Sequence, residues 1–160
     1  MFYKYKSTLT FDKPHIILVN PSDMGNLGTI IRTITGLDIN DLAIIEPAAD
    51  IWNPKTLRAS MGTLFHIRHE CFLNINAYIA QYTDHKLFPF TLGGSVLPED
   101  CPACGQFPLI FGNEATGLDE QFKHIGQCVK IPLSKRVDSY NLAVAVGIGA
   151  YVFARKNGLV

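Results

Sequence analysis

Three polar loops in this chain of 160 residues hold the side chains that could do chemistry. Asn20–Asn26 (NPSDMGN), Gly112–Leu118 (GNEATGL) and Ser134–Asn141 (SKRVDSYN) each follow a short apolar run. Their polar groups are the amides of Asn26, Asn113 and Asn141, the Glu114 carboxylate and the Ser139 hydroxyl. The Arg32 guanidinium lies a little beyond the first loop. A glycine at 112 lets a ligand touch backbone, and Glu114 could complement a cation. Equally, Gly112 could serve the turn alone and Glu114 could cap a local N–H. The familiar phosphate loops are missing: no G-x-G-x-x-G opens the first helix, and no lysine follows a glycine loop. Gly25-x-x-Gly28 alone reads as a tight strand-to-helix turn. Cys101-Pro102-Ala103-Cys104 is half of a zinc knuckle. A tetrahedral structural site needs four ligands and no second such pair exists, so no metal is expected.

The loops need elements to hold them, and the apolar pattern supplies these in alternation. Strands are expected at His15–Asn20, Asp41–Glu46, Phe65–Phe72, Leu87–Leu92, Phe107–Phe111 and Cys128–Leu133. Helices are expected from about Asn26 to Gly36, from Pro54 behind an Asn53 cap, from Asn74 through Tyr82, and over Asp119–Ile125. Strands apolar on both faces, alternating with helices, argue for an α/β fold. Its mostly parallel sheet of six strands has helices on both faces. In such a sheet ligands sit beyond the carboxyl ends of the strands, where the three loops converge.

The last helix is the most unusual element. It is expected to begin near Ser139, capped by Asp138 or Ser139, and its thirteen residues Leu142–Ala154 carry no charge. That is too short to span a bilayer, which takes about 20 residues. A helix apolar on every side must be covered on every side, by the core or by another subunit. The small residues Ala143/Gly147 and Ala145/Gly149 would allow close approach of a neighbouring backbone.

Bulk properties bound the rest. The length suits one domain spanning residues 1–160, with 1–14 a short N-terminal extension. Apolar content of 48% and charged content of 18% are those of an ordinary globular protein, not of a disordered one. No signal peptide is visible, and four cysteines without one read as reduced thiols in the cytoplasm, with Cys71 and Cys128 buried as small apolar residues. Net charge is zero, so any RNA binding must use local clusters such as Lys4/Lys6, Lys55/Arg58 or Lys135/Arg136.

Taken jointly, three segments resemble the motifs of the SpoU (TrmH) RNA methyltransferases of the SPOUT superfamily. They are Asn20-Pro21 with Gly25–Thr33, then Leu109–Leu118, then Ile131-Pro132 with Asp138–Ala145. The resemblance runs from His15 to Tyr151. It implies an S-adenosylmethionine-dependent homodimer that methylates a ribose 2′-hydroxyl of tRNA or rRNA, and a SPOUT fold with a C-terminal trefoil knot. It assigns catalysis to Asn26, Arg32, Glu114, Ser139 and Asn141. It assigns the cofactor pocket to Leu92, Gly93, Gly112, Asn113, Glu114, Ile131, Leu133, Asn141 and Leu142. Tyr140 departs from the pattern, which has leucine there. A non-catalytic RNA-binding or dimerisation module that kept the fold is the alternative, and the intact polar motif residues argue against it.

Methyl transfer from a sulfonium is an in-line displacement, so the protein must align the groups and help generate an oxygen nucleophile. The resemblance makes the arginine a general base. Neutralising a guanidinium at pH 7, from a reference pKa of about 12.5–13.8, costs roughly 7.5–9 kcal/mol. The reading adopted here keeps Arg32 cationic, stabilising the 2′-oxyanion or an adjacent phosphate, with Asn26, Ser139 and Asn141 orienting it or the ribose. With about 14 residues before the first strand, RNA recognition is expected from the catalytic domain and its dimer surface.

Overall fold

A computed structural model describes residues 7–160. The Lys4/Lys6 cluster therefore lies outside the described residues. Five strands, β1 (His15–Val19), β2 (Asp41–Ile45), β3 (Arg68–Phe72), β4 (Phe88–Pro89) and β5 (Leu109–Phe111), form one sheet in the order β3-β2-β1-β5-β4. Every pairing is parallel. The helices are α1 (Met24–Gly36), α2 (Pro54–Ala59), α3 (Ile75–Gln81) and α4 (Leu142–Lys156).

The two-faced burial expected of these strands is visible residue by residue. Ile16, Leu18, Leu42, Ile44, Leu109 and Phe111 point into a core shared with α1 and α4. Their neighbours Ile17, Val19, Ala43, Ile45 and Ile110 point into a second core with Phe72, Tyr78 and Phe122. The period of two in a strand sends adjacent side chains to opposite faces, which is why no polar residue interrupts Ile16–Val19.

The sequence reading overcounted the strands by one. Cys128–Leu133 does run beside β4: Gln127 N donates to Leu87 O, Val129 N to Pro89 O, and Thr91 N to Val129 O. Regular pairing stops there, leaving isolated bridges from Val129 to Phe90 and to Val96. Lys130 N turns to Val96 O instead, and Pro132 has no N–H to continue a ladder. Val129 thus lies between two points of one passing stretch, Phe90 and Val96. A Cβ on Gly94, in the turn between them, would come within 2.5 Å of the Val129 carbonyl carbon.

Other boundaries moved for local reasons. Thr63–His66 is a 3-10 turn rather than the start of β3, and Glu120–His124 is also a 3-10 helix, capped by Asp119. Asn53 and Asn74 cap α2 and α3 as expected, each accepting a backbone N–H. The first helix starts before Asn26, with Asp23 as its cap. Cys71 is exposed and Cys128 half-buried, contrary to the expectation that both are buried. Cys71 shares a face with buried His69, but lies further along β3, an edge strand, where that face is uncovered.

Helix α1 can lie against α2 only because residue 28 has no side chain. A Cβ there would fall 2.5 Å from both Ala59 Cβ and Thr56 O. Gly28→Ala is therefore expected to cost about 1–3 kcal/mol through overpacking. A urea unfolding curve should show a lower midpoint with an unchanged slope.

Candidate active site

The loop after β1 is built by hydrogen bonds to its neighbours. Asn20 adopts a positive φ of 53° and its N–H donates to Ile45 O, turning the chain at the strand end. Ala49 N donates to Pro21 O at 2.7 Å, so the loop after β2 buttresses it. The Asp23 carboxylate then accepts from Asn26 N at 2.7 Å and opens α1.

The loop after β5 is stitched onto this one. Asn113 Nδ2 donates to Asn20 O at 2.8 Å, while its Oδ1 accepts from Ala115 N and Thr116 N. The Glu114 carboxylate accepts from Ser22 N, from Ser22 Oγ at 2.8 Å and from Asp23 N at 3.1 Å. Of the two sequence readings of Glu114, the one in which it caps backbone N–H groups describes its contacts. Partial burial alone would raise its pKa. The backbone N–H groups at Glu114, Asp23 and Ser22 and the Ser22 hydroxyl outweigh that and hold the carboxyl below its ordinary value.

The third loop arrives from the far end of the chain. The final helix begins at Leu142, not near Ser139, and its cap is Asn141 rather than Asp138 or Ser139. Asn141 Oδ1 accepts from Ala143 N at 2.9 Å and from Val144 N at 3.3 Å. That leaves its amide N–H₂ free to project outward, and Nδ2 donates to Asn26 Oδ1 at 3.1 Å. Tyr140, the departure from the family pattern, donates its hydroxyl to Pro132 O at 2.9 Å and closes the loop on itself.

The structure thus brings Asn26, Asn113, Glu114 and Asn141 into one hydrogen-bonded rim, with Gly112 at the end of β5 beneath it. Arg32 and Ser139 are exposed, and their side chains have no hydrogen-bond partner among the described residues. Arg32 lies six positions beyond Asn26, about 9 Å along the helix axis. Leu92 and Gly93 are exposed, Ile131 and Leu133 half-buried, and Leu142 is buried at the start of α4. The sequence reading missed Ser22 and Asp23, the partners of Glu114, although Ser and Asp just ahead of an apolar-periodic run are a cap signal. It also missed Thr91, whose buried Oγ1 has no hydrogen-bond partner next to Leu92.

Among the described residues no group of three or more His, Cys, Asp or Glu side chains could hold a metal ion. Burial raises the thiol pKa of both Cys101 and Cys104, away from the thiolate that ligation requires. No helix among the described residues is long and apolar enough to cross a membrane.

A parallel sheet whose rim joins these three motifs is the architecture of a known family. The chain matches the SpoU rRNA Methylase family over residues 13–151 and belongs to it. The 23S rRNA (guanosine(2553)-2′-O)-methyltransferase RlmP of Bacillus subtilis (strain 168) is 32% identical over 132 residues, covering 81% of this chain and 53% of its own. A 23S rRNA (uridine(2479)-2′-O)-methyltransferase of Streptomyces viridochromogenes is 29% identical over 154 residues, 88% of this chain and 52% of its own. The chain thus spans about half the length of these curated relatives. Among solved structures, an AdoMet-bound rRNA methyltransferase from Sinorhizobium meliloti superposes with a TM-score of 0.84 at 30% identity, covering 91% of this chain and 57% of that one. A protein solved in work on 2-OH methylation of C/U34 on tRNA gives 0.84 at 28% identity, covering 92% and 97%.

The Glu114 strap carries a pH signature. Its folded pKa lies below the unfolded value, so the folded state binds fewer protons and stability rises with pH through this window. The contribution is complete above about pH 4.5 and is lost as pH falls through the lower folded value. Urea midpoints of wild type and Glu114→Gln, measured across a pH series, should differ at neutrality and converge in acid.

Proposed function

We propose that this chain transfers a methyl group from S-adenosylmethionine to the 2′-hydroxyl of a ribose in tRNA or rRNA. The observation that carries the reading is the Asn26–Asn141 hydrogen bond, which ties the first and third motifs together while Glu114 and Asn113 tie the second to the first. Three segments scattered over the chain form one rim, and that is what alignment of two substrates requires.

The residues at the carboxyl ends of β4 and β5 suit the methyl donor. Leu92, 63% exposed, offers an uncovered apolar surface beside the open backbone of Gly93. The orphaned Thr91 hydroxyl lacks a hydrogen-bond partner that a nucleoside would provide. Ile131, Leu133 and Leu142 would complete the wall, with backbone at Gly112 and Asn113. When bound, S-adenosylmethionine supplies an electrophilic methyl on a sulfonium. The chain's own work is then to position the ribose through Asn26, Ser139 and Asn141, and to stabilise the oxyanion through Arg32. Its guanidinium is exposed and has no partner among the described residues, so it is free to take that role.

A homodimer fits the state of α4. One side carries Val146, Ala150 and Phe153 into the core, yet Val144 and Tyr151 are 49% and 54% exposed. These flank Gly147, whose Cβ position would lie 3.6 Å from Thr33 of α1, so the uncovered stripe borders the helix that bears Arg32. A second copy packed there would cover the stripe and bring another protomer's loops towards Arg32. Passage of the chain around Val129, bridged to both Phe90 and Val96, supports the trefoil knot of the family.

Labelled S-adenosylmethionine incubated with total cellular RNA tests the activity. A ribose methyl blocks alkaline cleavage at its own linkage, so label is expected in resistant dinucleotides. Label only in mononucleotides, or none, would sink the proposal. Arg32→Ala should lower kcat by roughly 10²–10³, the effect of removing an oxyanion donor, with the KM for S-adenosylmethionine little changed. The rate of wild type should keep rising into alkaline pH, with no arginine-dependent break near neutrality. Sedimentation equilibrium should return twice the chain mass, and Tyr151→Glu should shift it to monomer; a monomeric wild type would refute the dimer.

A further inference from the structure

The loops described so far crown β1, β5 and β4. Beyond β2 and β3 the same rim carries an open groove of about 1070 Å³, walled by the loop after β2 and by the end of β3. It adjoins the site through two hydrogen bonds, from Ala49 N to Pro21 O and from the Asn20 side-chain Nδ2 to Pro47 O at 3.2 Å.

Trp52, the single tryptophan of the chain, lines this groove half-buried. His69 meets it edge-on with ring centroids 5.6 Å apart, and Phe65 stands on its other side at 6.4 Å, 73% exposed. His69 also lines the groove and is only 6% exposed, yet its Nδ1 is sealed with no hydrogen-bond partner among the described residues. Burial lowers the His69 pKa, so the ring is neutral. The backbone N–H of Glu46 donates to Phe72 O, while its carboxylate, exposed on the groove wall, has no hydrogen bond or ion pair among the described residues. Lys55 and Arg58 are both exposed on α2, immediately after the wall formed by Trp52.

We propose that the groove receives the base of a nucleotide flanking the target ribose, stacked on Trp52 with its edge read by the Glu46 carboxylate. This rests on the RNA methyltransferase reading and adds to it a second contact, outside the reacting nucleotide. Charge decides what enters. The exposed Glu46 carboxylate on the groove wall repels a phosphate, while Lys55 and Arg58 next to it attract one. The base therefore points inward and the backbone tracks α2. A carboxylate accepts from exocyclic amino groups, so cytosine or adenine suits Glu46 better than uracil. An apolar peptide would leave the Glu46 carboxylate without a partner.

Because Trp52 is the sole tryptophan, its fluorescence reports on this groove without any methyl transfer. The full chain is titrated with the hexamers rC6, rA6 and rU6 in the presence of S-adenosylhomocysteine. Saturable quenching is expected, tighter for rC6 and rA6 than for rU6. Glu46→Gln should erase that preference and keep the quenching. In the labelling assay with total RNA, Trp52→Ala should raise the half-saturating RNA concentration roughly 5- to 150-fold, the range for loss of one stacked base, with the KM for S-adenosylmethionine unchanged. Trp52→Phe should restore most of the loss, which a folding defect at Trp52→Ala alone would not explain. No saturable quenching by any hexamer, or an unchanged RNA requirement in Trp52→Ala, overturns the groove. Quenching by a protein that transfers no methyl group supports the groove and overturns the enzymatic reading instead.

Discussion

A half-buried carboxylate that accepts from backbone N–H groups holds this site together. Glu114 leaves the end of β5 and accepts from the N–H groups of Ser22 and Asp23, just where α1 begins. Those donors belong to the positive end of a helix, so the charge interacts with the helix as well as with individual hydrogen bonds. The strap sets the loop after β5 at a fixed height over the loop after β1. Asn26, three residues further on, is thereby presented to Asn141. Without the strap the sheet could still form, but only the Asn113–Asn20 hydrogen bond would hold the second motif loop against the first.

Asn141 joins capping and the site in one side chain. Its carbonyl oxygen satisfies the first N–H groups of α4, and its amide nitrogen reaches Asn26. A serine or aspartate would cap as well but has no N–H₂ to send across the rim. The helix it opens fits the core tightly: a Cβ at Gly149 would fall 2.7 Å from the Phe90 ring, which itself stacks on Phe111 at 4.5 Å. That packing fixes the axis of α4 and so the height of Asn141. The opposite stripe, with Val144 and Tyr151, has no such cover within one protomer, and this is why the proposed function includes a second.

In the proposed reading the rim divides by strand. The methyl donor sits over β4 and β5, where apolar and backbone surface is open. The ribose lies over β1, among amides, and a flanking base lies over β2 and β3 beside Trp52. The division explains how a chain with no net charge could bind a polyanion. Lys55 and Arg58 would face the phosphates, and the Glu46 carboxylate beside them would meet only a base edge. Tyr140 tightens the loop between Pro132 and α4 through a bond that leucine cannot make.

Much of this was legible in the residues alone. Alternating apolar runs specify a parallel α/β sheet because burial on both faces requires it, and the caps Asn53 and Asn74 mark their helices by local chemistry. The joint presence of three motifs placed Asn26, Glu114 and Asn141 at one site. What composition and periodicity could not supply was who meets whom. The sixth strand failed because Lys130 found a carbonyl on Val96, a partner 34 positions away that no local pattern reveals. Glu114 turned to Ser22 rather than to a cation because the register of β5 against β1 aims it there. The Trp52 groove, built from two loops and a strand end, has no sequence signature. Local propensity is written in neighbouring residues, whereas a site is a set of long-range distances, and only packing decides those.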